Sequence, residues 1–181
     1  NAKVNWKLND RDQLFLSGYF GRDVFSFTSG KSGFSTSIPW GNAMGSFRWN
    51  RIVNDQLFWK MSATMSDYHF AFSANQDDFI FGFDSGIRDY ALKGQFAWYP
   101  NPRHQVKAGY DLTYHDFVPT DFYARSDDIE FETGQAERTL GLETGLYVQD
   151  DFDLTEKIRI RAGLRHSSFT HLGPYTRYVH P

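Results

Sequence analysis

Cysteine is absent from the 181 residues, which removes disulfides, thiolate zinc sites and a cysteine nucleophile at one stroke. A basic excess is also missing. Nineteen Lys and Arg stand against 22 Asp and Glu, for a formal net charge of −3 and a pI near 6.1. A nucleic-acid partner would call for the opposite balance, so none is expected. No apolar run approaches the roughly 18 residues that a membrane helix needs. That excludes a helical membrane protein but not a membrane β-barrel, whose apolar residues alternate with polar ones and vanish from any hydropathy sum. What the chain does have is aromatic residues, 18% of the total, against a mean hydropathy of −0.55. So many rings in so polar a chain exceed what a small soluble core takes.

The dominant period is two. Val106, Ala108, Tyr110, Leu112 and Tyr114 share one face of a strand, and Gln105, Lys107, Gly109, Asp111, Thr113 and His115 share the other. Leu57, Trp59, Met61, Ala63 and Met65 alternate in the same way with Lys60, Ser62, Thr64, Ser66 and Tyr68. Tyr90, Leu92, Gly94, Phe96 and Trp98 form a third apolar face, and Ile158, Ile160, Ala162 and Leu164 a fourth. The segments 3–8, 13–27, 41–52 and 139–152 read likewise. Eight strands and no helix are expected.

Short connections at 9–12, 54–55, 100–103 and 153–156 carry the Asn, Asp and Pro that tight turns need. Between them lie stretches expected to be long loops, at 28–40, about 73–86, and 117–138. Several strands exceed the roughly 5–6 residues of soluble sheets and match the roughly 9–11 of a tilted membrane crossing. Trp6, Trp49, Trp59 and Trp98 sit near the short turns, where an interfacial girdle would place them. These features favour an all-β fold, an antiparallel up-and-down transmembrane β-barrel, over a soluble β-sandwich. Both chain ends fall on the side of the long connections, so residues 1–181 are expected to be about eight strands of a larger barrel domain.

The segment Gly145-Leu-Tyr-Val-Gln-Asp-Asp-Phe-Asp-Leu-Thr-Glu-Lys-Ile-Arg-Ile-Arg-Ala-Gly-Leu-Arg165 resembles a late-barrel hairpin of TonB-dependent outer-membrane transporters, particularly those of Bacteroidetes-type bacteria. There a "YxQD" strand, an "LTxxL" turn and a "GLR" strand follow one another. Leu16-Ser-Gly-Tyr-Phe-Gly-Arg-Asp23 and His104-Gln-Val-Lys-Ala-Gly-Tyr110 are similar to earlier strands of that family. The resemblance implies a 22-stranded barrel around a plug domain, importing a scarce nutrient such as a glycan, a peptide or a metal chelate. It also implies residence in the bacterial outer membrane, with outer-membrane lipid around the wall. A TonB complex would be reached through the plug region, and a surface lipoprotein is a further expected partner. A TonB box, a plug and a C-terminal strand ending in an aromatic residue are not recognisable within these 181 residues. Two other readings stay open, a passive porin or adhesin anchor and a soluble carbohydrate-binding sandwich.

Two residue sets could carry function. The alternation puts Lys60, Lys93, Lys107, Arg159, Arg161 and Arg165 on the lumen face with Asp89, Asp111, Glu143 and Asp151. They either contact a plug or solute, or pair with one another across strands at about 0.2–1 kcal/mol per pair. The "GLR" pattern makes Arg165 the first candidate for plug contact. The second set is aromatic: Phe34, Trp40, Phe79, Phe81, Phe83, Phe122 and Tyr123, all expected in the long loops. Such rings could stack on a sugar or a metal chelate, or pack against a lid, a girdle or each other. The stretch Asp127-Asp128-Ile129-Glu130-Phe131-Glu132 is acidic but lacks the spacing and glycine of a Ca²⁺ loop. No histidine pair has a metal-binding spacing and no nucleophile elbow is present. Neither catalysis, a metal nor a cofactor is therefore expected.

Overall fold

The computed structural model describes residues 1–30, 33–126, 129–132 and 138–173. They form one antiparallel sheet. Its strands are β1 (Ala2–Lys7), β2 (Asp12–Thr28), β3 (Phe34–Asn54), β4 (Leu57–Gln76), β5 (Phe79–Asn101), β6 (His104–Ser126), β7 (Ile129–Glu132), β8 (Thr139–Thr155) and β9 (Ile158–Leu172). Sequential neighbours pair in the order β1-β2-β3-β4-β5-β6-β8-β9, and β7 pairs with β6 alone. The sheet is open between β1 and β9. Eight strands agree with the alternation, seven of them long and β1 of six residues, and the short β7 is a ninth among the described residues.

The expected long loops are corrected. β4 continues to Gln76, turns at Asp77 and Asp78, and returns as β5 from Phe79. Asp77 takes a positive φ of 52°, a conformation that Asp tolerates better than most residues. β2 likewise runs to Thr28 and β3 begins at Phe34, while β6 persists to Ser126. The strands rise well past the expected membrane crossing and form tall hairpins. Asp127 and Asp128 of the acidic stretch lie outside the described residues, as do 31–32, 133–137 and 174–181; its remainder is β7, where Glu130 pairs with Arg125 at 2.7 Å.

No hydrophobic side chain is buried among the described residues. The accessible surface is 13389 Å², against about 9,000 Å² for a compact protein of this mass. Such a sheet is one layer without a second to cover it. Its stability cannot come from a two-layer core, and whatever covers its apolar face must be something other than these residues.

The register sorts the apolar residues into a belt. Leu57–Met65 on β4, Tyr90–Trp98 on β5 and Val106–Tyr114 on β6 stand side by side, with Trp59 opposite Phe96 and Leu92 opposite Leu112. Each stretch is nine residues, about 30 Å along the strand. A tilt of about 40° brings that close to the roughly 25 Å of a transmembrane barrel's apolar belt. Ile160 and Leu164 continue it on β9, opposite Phe152 and Val148 of β8, and Ile158 follows opposite Thr155. At the turn end Trp6, Trp49, Trp59 and Trp98 all lie on this outer face. Trp49 Nε1 donates to Asp12 Oδ1 at 2.9 Å. At the opposite end the rings of Tyr90 and Tyr114 pair at 6.3 Å, and the next outward row turns ionic. Asp67 stands opposite Arg88, and Arg88 opposite Asp116. Arg88 reaches Asp67 at 2.5 Å and Arg138 reaches Asp116 at 3.4 Å.

Candidate functional site

The inner face inverts this order. Beside the apolar belt it is polar, and beyond the Asp67–Arg88–Asp116 row it becomes aromatic. Lys60, Lys93, Lys107, Asp111, Glu143, Arg159, Arg161 and Arg165 all lie on it, together with Asp89 and Asp151. Most of them are joined. Lys93 and Arg165 approach Asp111 at 3.9 Å and 2.8 Å. Lys107 approaches Asp151 at 3.8 Å, and Arg161 grips the same carboxylate through Nε and Nη2. Asp151 is only 5% exposed, so two cations meet its charge where water does not. Arg159 closes on Asp153 at 2.5 Å. His115 joins Asp89 at 2.8 Å and stands 3.7 Å from Glu143, tying β5, β6 and β8 together. Among the described residues Lys60 takes part in no ion pair.

The ladder is possible because glycine leaves space. Arg165 on β9 reaches Asp111 on β6 across β8, passing over Gly145, where a Cβ would stand 2.6 Å from Arg165 Nη2. Phe169 covers Gly141 in the same manner, and its ring lies 6.4 Å from His115.

Above the ladder the aromatic residues converge. Phe83 packs on Phe72 at 5.5 Å, Phe70 at 5.9 Å and Phe122 at 5.6 Å, and Phe72 meets Phe81 at 6.3 Å. Phe34 and Trp40 share this face on β3, with Trp40 opposite Phe70, and Phe79 shares it on β5. Placement of these residues in loops is thus corrected: all are on strands, because the alternation that defines the belt continues upward through aromatic rather than aliphatic residues. Tyr123 is the exception, on the outer face with its ring over Gly82. The parity of β6 changes below it. Gly86 pairs with Val118 and Asp84 with Asp121, so β6 carries one extra residue. That bulge contains Pro119, which has no N–H to give the ladder.

Phe70, Phe72, Phe117 and Phe169 belong to this surface and escaped the sequence reading. Their signal was the same i, i+2 spacing, as in Phe70 and Phe72. Half-buried and exposed rings held on strands present flat apolar faces with little freedom left to lose, which suits ring-bearing ligands or a packed lid. At the other end of the sheet Lys7 donates to Asp10 at 2.7 Å within the first turn and holds its carboxyl below the usual range. Among the described residues no group of His, Asp and Glu could hold a metal ion.

No family model and no curated protein matches this chain. Among solved structures it is similar to BauA, the ferric preacinetobactin receptor of Acinetobacter baumannii, with a TM-score of 0.61 at 13% identity. The match covers 94% of this chain and 33% of that one, so the chain spans a third of the receptor's length. The narrower resemblance to Bacteroidetes-type transporters gains no support from this neighbour. What the two share is a fold: an antiparallel up-and-down β-sheet of the kind that forms the wall of a β-barrel receptor.

Proposed function

We propose that the chain is a wall segment of an outer-membrane β-barrel, part of a 22-stranded barrel that takes up a scarce nutrient by TonB-dependent transport. The observation that carries this reading is the inversion of the two faces at one level. Outside, a nine-residue apolar belt ends in tryptophans below and in Tyr90 and Tyr114 above, where Asp67, Arg88 and Asp116 begin. Inside, ion pairs give way at the same level to the Phe70, Phe72, Phe81, Phe83 and Phe122 cluster. Lipid would cover the belt, water would fill the inner face, and the aromatic surface would meet the nutrient above the outer leaflet.

In this mechanism the wall does not catalyse. Its aromatic faces capture a glycan, peptide or metal chelate, and a plug driven by the TonB complex lets it pass. A surface lipoprotein would be the partner over the tall hairpins. The paired charges of β5–β9 stiffen the wall against that movement, and Arg165 would be the first wall residue to feel a plug. A passive porin would share the wall without the energy coupling. A soluble sandwich would need a second layer, whereas these residues form a single sheet with no buried hydrophobic side chain.

The test is uptake by cells carrying the protein at its native length. The account expects the protein in the outer-membrane fraction and nutrient accumulation that collapses when the proton gradient is discharged. Accumulation that survives the discharge would favour a porin, and recovery in the soluble fraction would overturn both.

A further inference from the structure

The inner wall is electrostatically divided. On β5–β9 Lys93, Lys107, Arg159, Arg161 and Arg165 each have a carboxylate partner. On β1–β4 Lys3, Arg48 and Lys60 have none among the described residues. These three line one concavity of about 360 Å³ on the inner face, with the hydroxyls of Ser46, Ser62 and Thr64 and no acidic residue. Arg48 lies over the Phe15 ring at 4.2 Å, and its Nε is a buried donor without an acceptor. Three like charges gathered in one basin repel, and a wall that pairs its cations elsewhere leaves this group unanswered. The basin is within the size range of small-ligand sites, and its three charged groups are all donors, beside the amide of Asn5 and hydroxyls that can donate or accept.

We propose that the β1–β4 basin binds a small polyvalent oxyanion, of phosphate or carboxylate chemistry, through Lys3, Arg48 and Lys60. Charge-assisted hydrogen bonds from two ammonium groups and one guanidinium hold the oxygens, and the serine and threonine hydroxyls complete the shell. The proposal goes beyond nutrient uptake and rests on that reading only in requiring a wetted inner face.

The test labels lysines with a water-soluble acetylating reagent in the native-length protein, held in detergent micelles, and reads each site by mass spectrometry. Chloride, inorganic phosphate and pyrophosphate are compared at equal ionic strength. Pyrophosphate is expected to slow labelling of Lys3 and Lys60 at least fivefold and to leave the turn residue Lys157 unchanged. Arg48→Gln should erase that protection, and Lys60→Gln should erase it at Lys3, so the outcome does not hang on one variant. Equal rates in all three salts would overturn the site while leaving the uptake reading intact. If Lys93 and Lys107 react but Lys3 and Lys60 are shielded before any oxyanion is added, carboxylates of the protein already fill the basin and the proposal fails. If no inner lysine reacts, the inner wall is covered rather than wetted, as a plug would cover it, and the oxyanion site is overturned while the uptake reading stands.

Discussion

Arg165 donates to Asp111 at 2.8 Å from two strands away, passing over Gly145 on the strand between them. The contact is long-range in sequence yet depends on one missing methyl group. With no hydrophobic side chain buried among the described residues, such polar ties fix how β6, β8 and β9 sit together.

Arg165→Gln and Asp111→Asn, made singly and together, are expected to couple by about 0.5 kcal/mol in reversible unfolding from lipid vesicles. The value is small because half the Arg165 side chain is exposed and water screens the pair. Gly145→Val should remove the coupling by displacing the Arg165 guanidinium, with neither charged residue substituted. Strict additivity of the two single variants would show that the contact does not exist in solution.

Leu112 and Thr113 are chain neighbours on opposite faces, Leu112 opposite Leu92 in the belt and Thr113 opposite Glu143 on the inner wall. Leu112→Arg is expected to cost about 2–4 kcal/mol or to block assembly. Thr113→Arg places its charge beside Glu143 and should cost under about 0.5 kcal/mol. Equal effects of the two, measured by unfolding of the assembled protein, would mean the faces are wrongly assigned.

Phe83 touches Phe70, Phe72 and Phe122, and aromatic pairs contribute about 0.5–1.5 kcal/mol each beyond burial. Phe83→Ala should therefore speed amide hydrogen exchange in residues 79–86 and leave 90–98 at its original rate. Tyr123→Ala, on the other face, should leave the Phe70–Phe83 region unchanged. Uniform acceleration along β5 would indicate that the tall hairpin has no local anchor.

The belt was legible in the sequence because period-two alternation is a local property, and Trp49, Trp59 and Trp98 announced its lower edge. The charge set was legible for the same reason. The upper strands were not. There Phe70, Phe72, Phe81 and Phe83 alternate with Ala, Ser and Gly instead of with charges, and Asn75, Asp77 and Asp78 imitate a loop. The side on which Phe122 stands could not be counted from Asp111 either, because the Pro119 bulge shifts the parity of β6. Arg165 and Asp111 lie 54 residues apart, and only the register of three strands places Gly145 between them.

The most direct test of the account is a cysteine scan along β6 from Val106 to Ser126, to which residues 1–181 add no cysteine of their own. Each position would carry a spin label in the native-length protein in lipid vesicles, and its access to a lipid-soluble and a water-soluble relaxant would be read. The account predicts lipid access at 106, 108, 110, 112 and 114, water access at the residues between them, and water on both faces beyond Asp116. Water access at every position from 106 to 114, with no alternation, would contradict it.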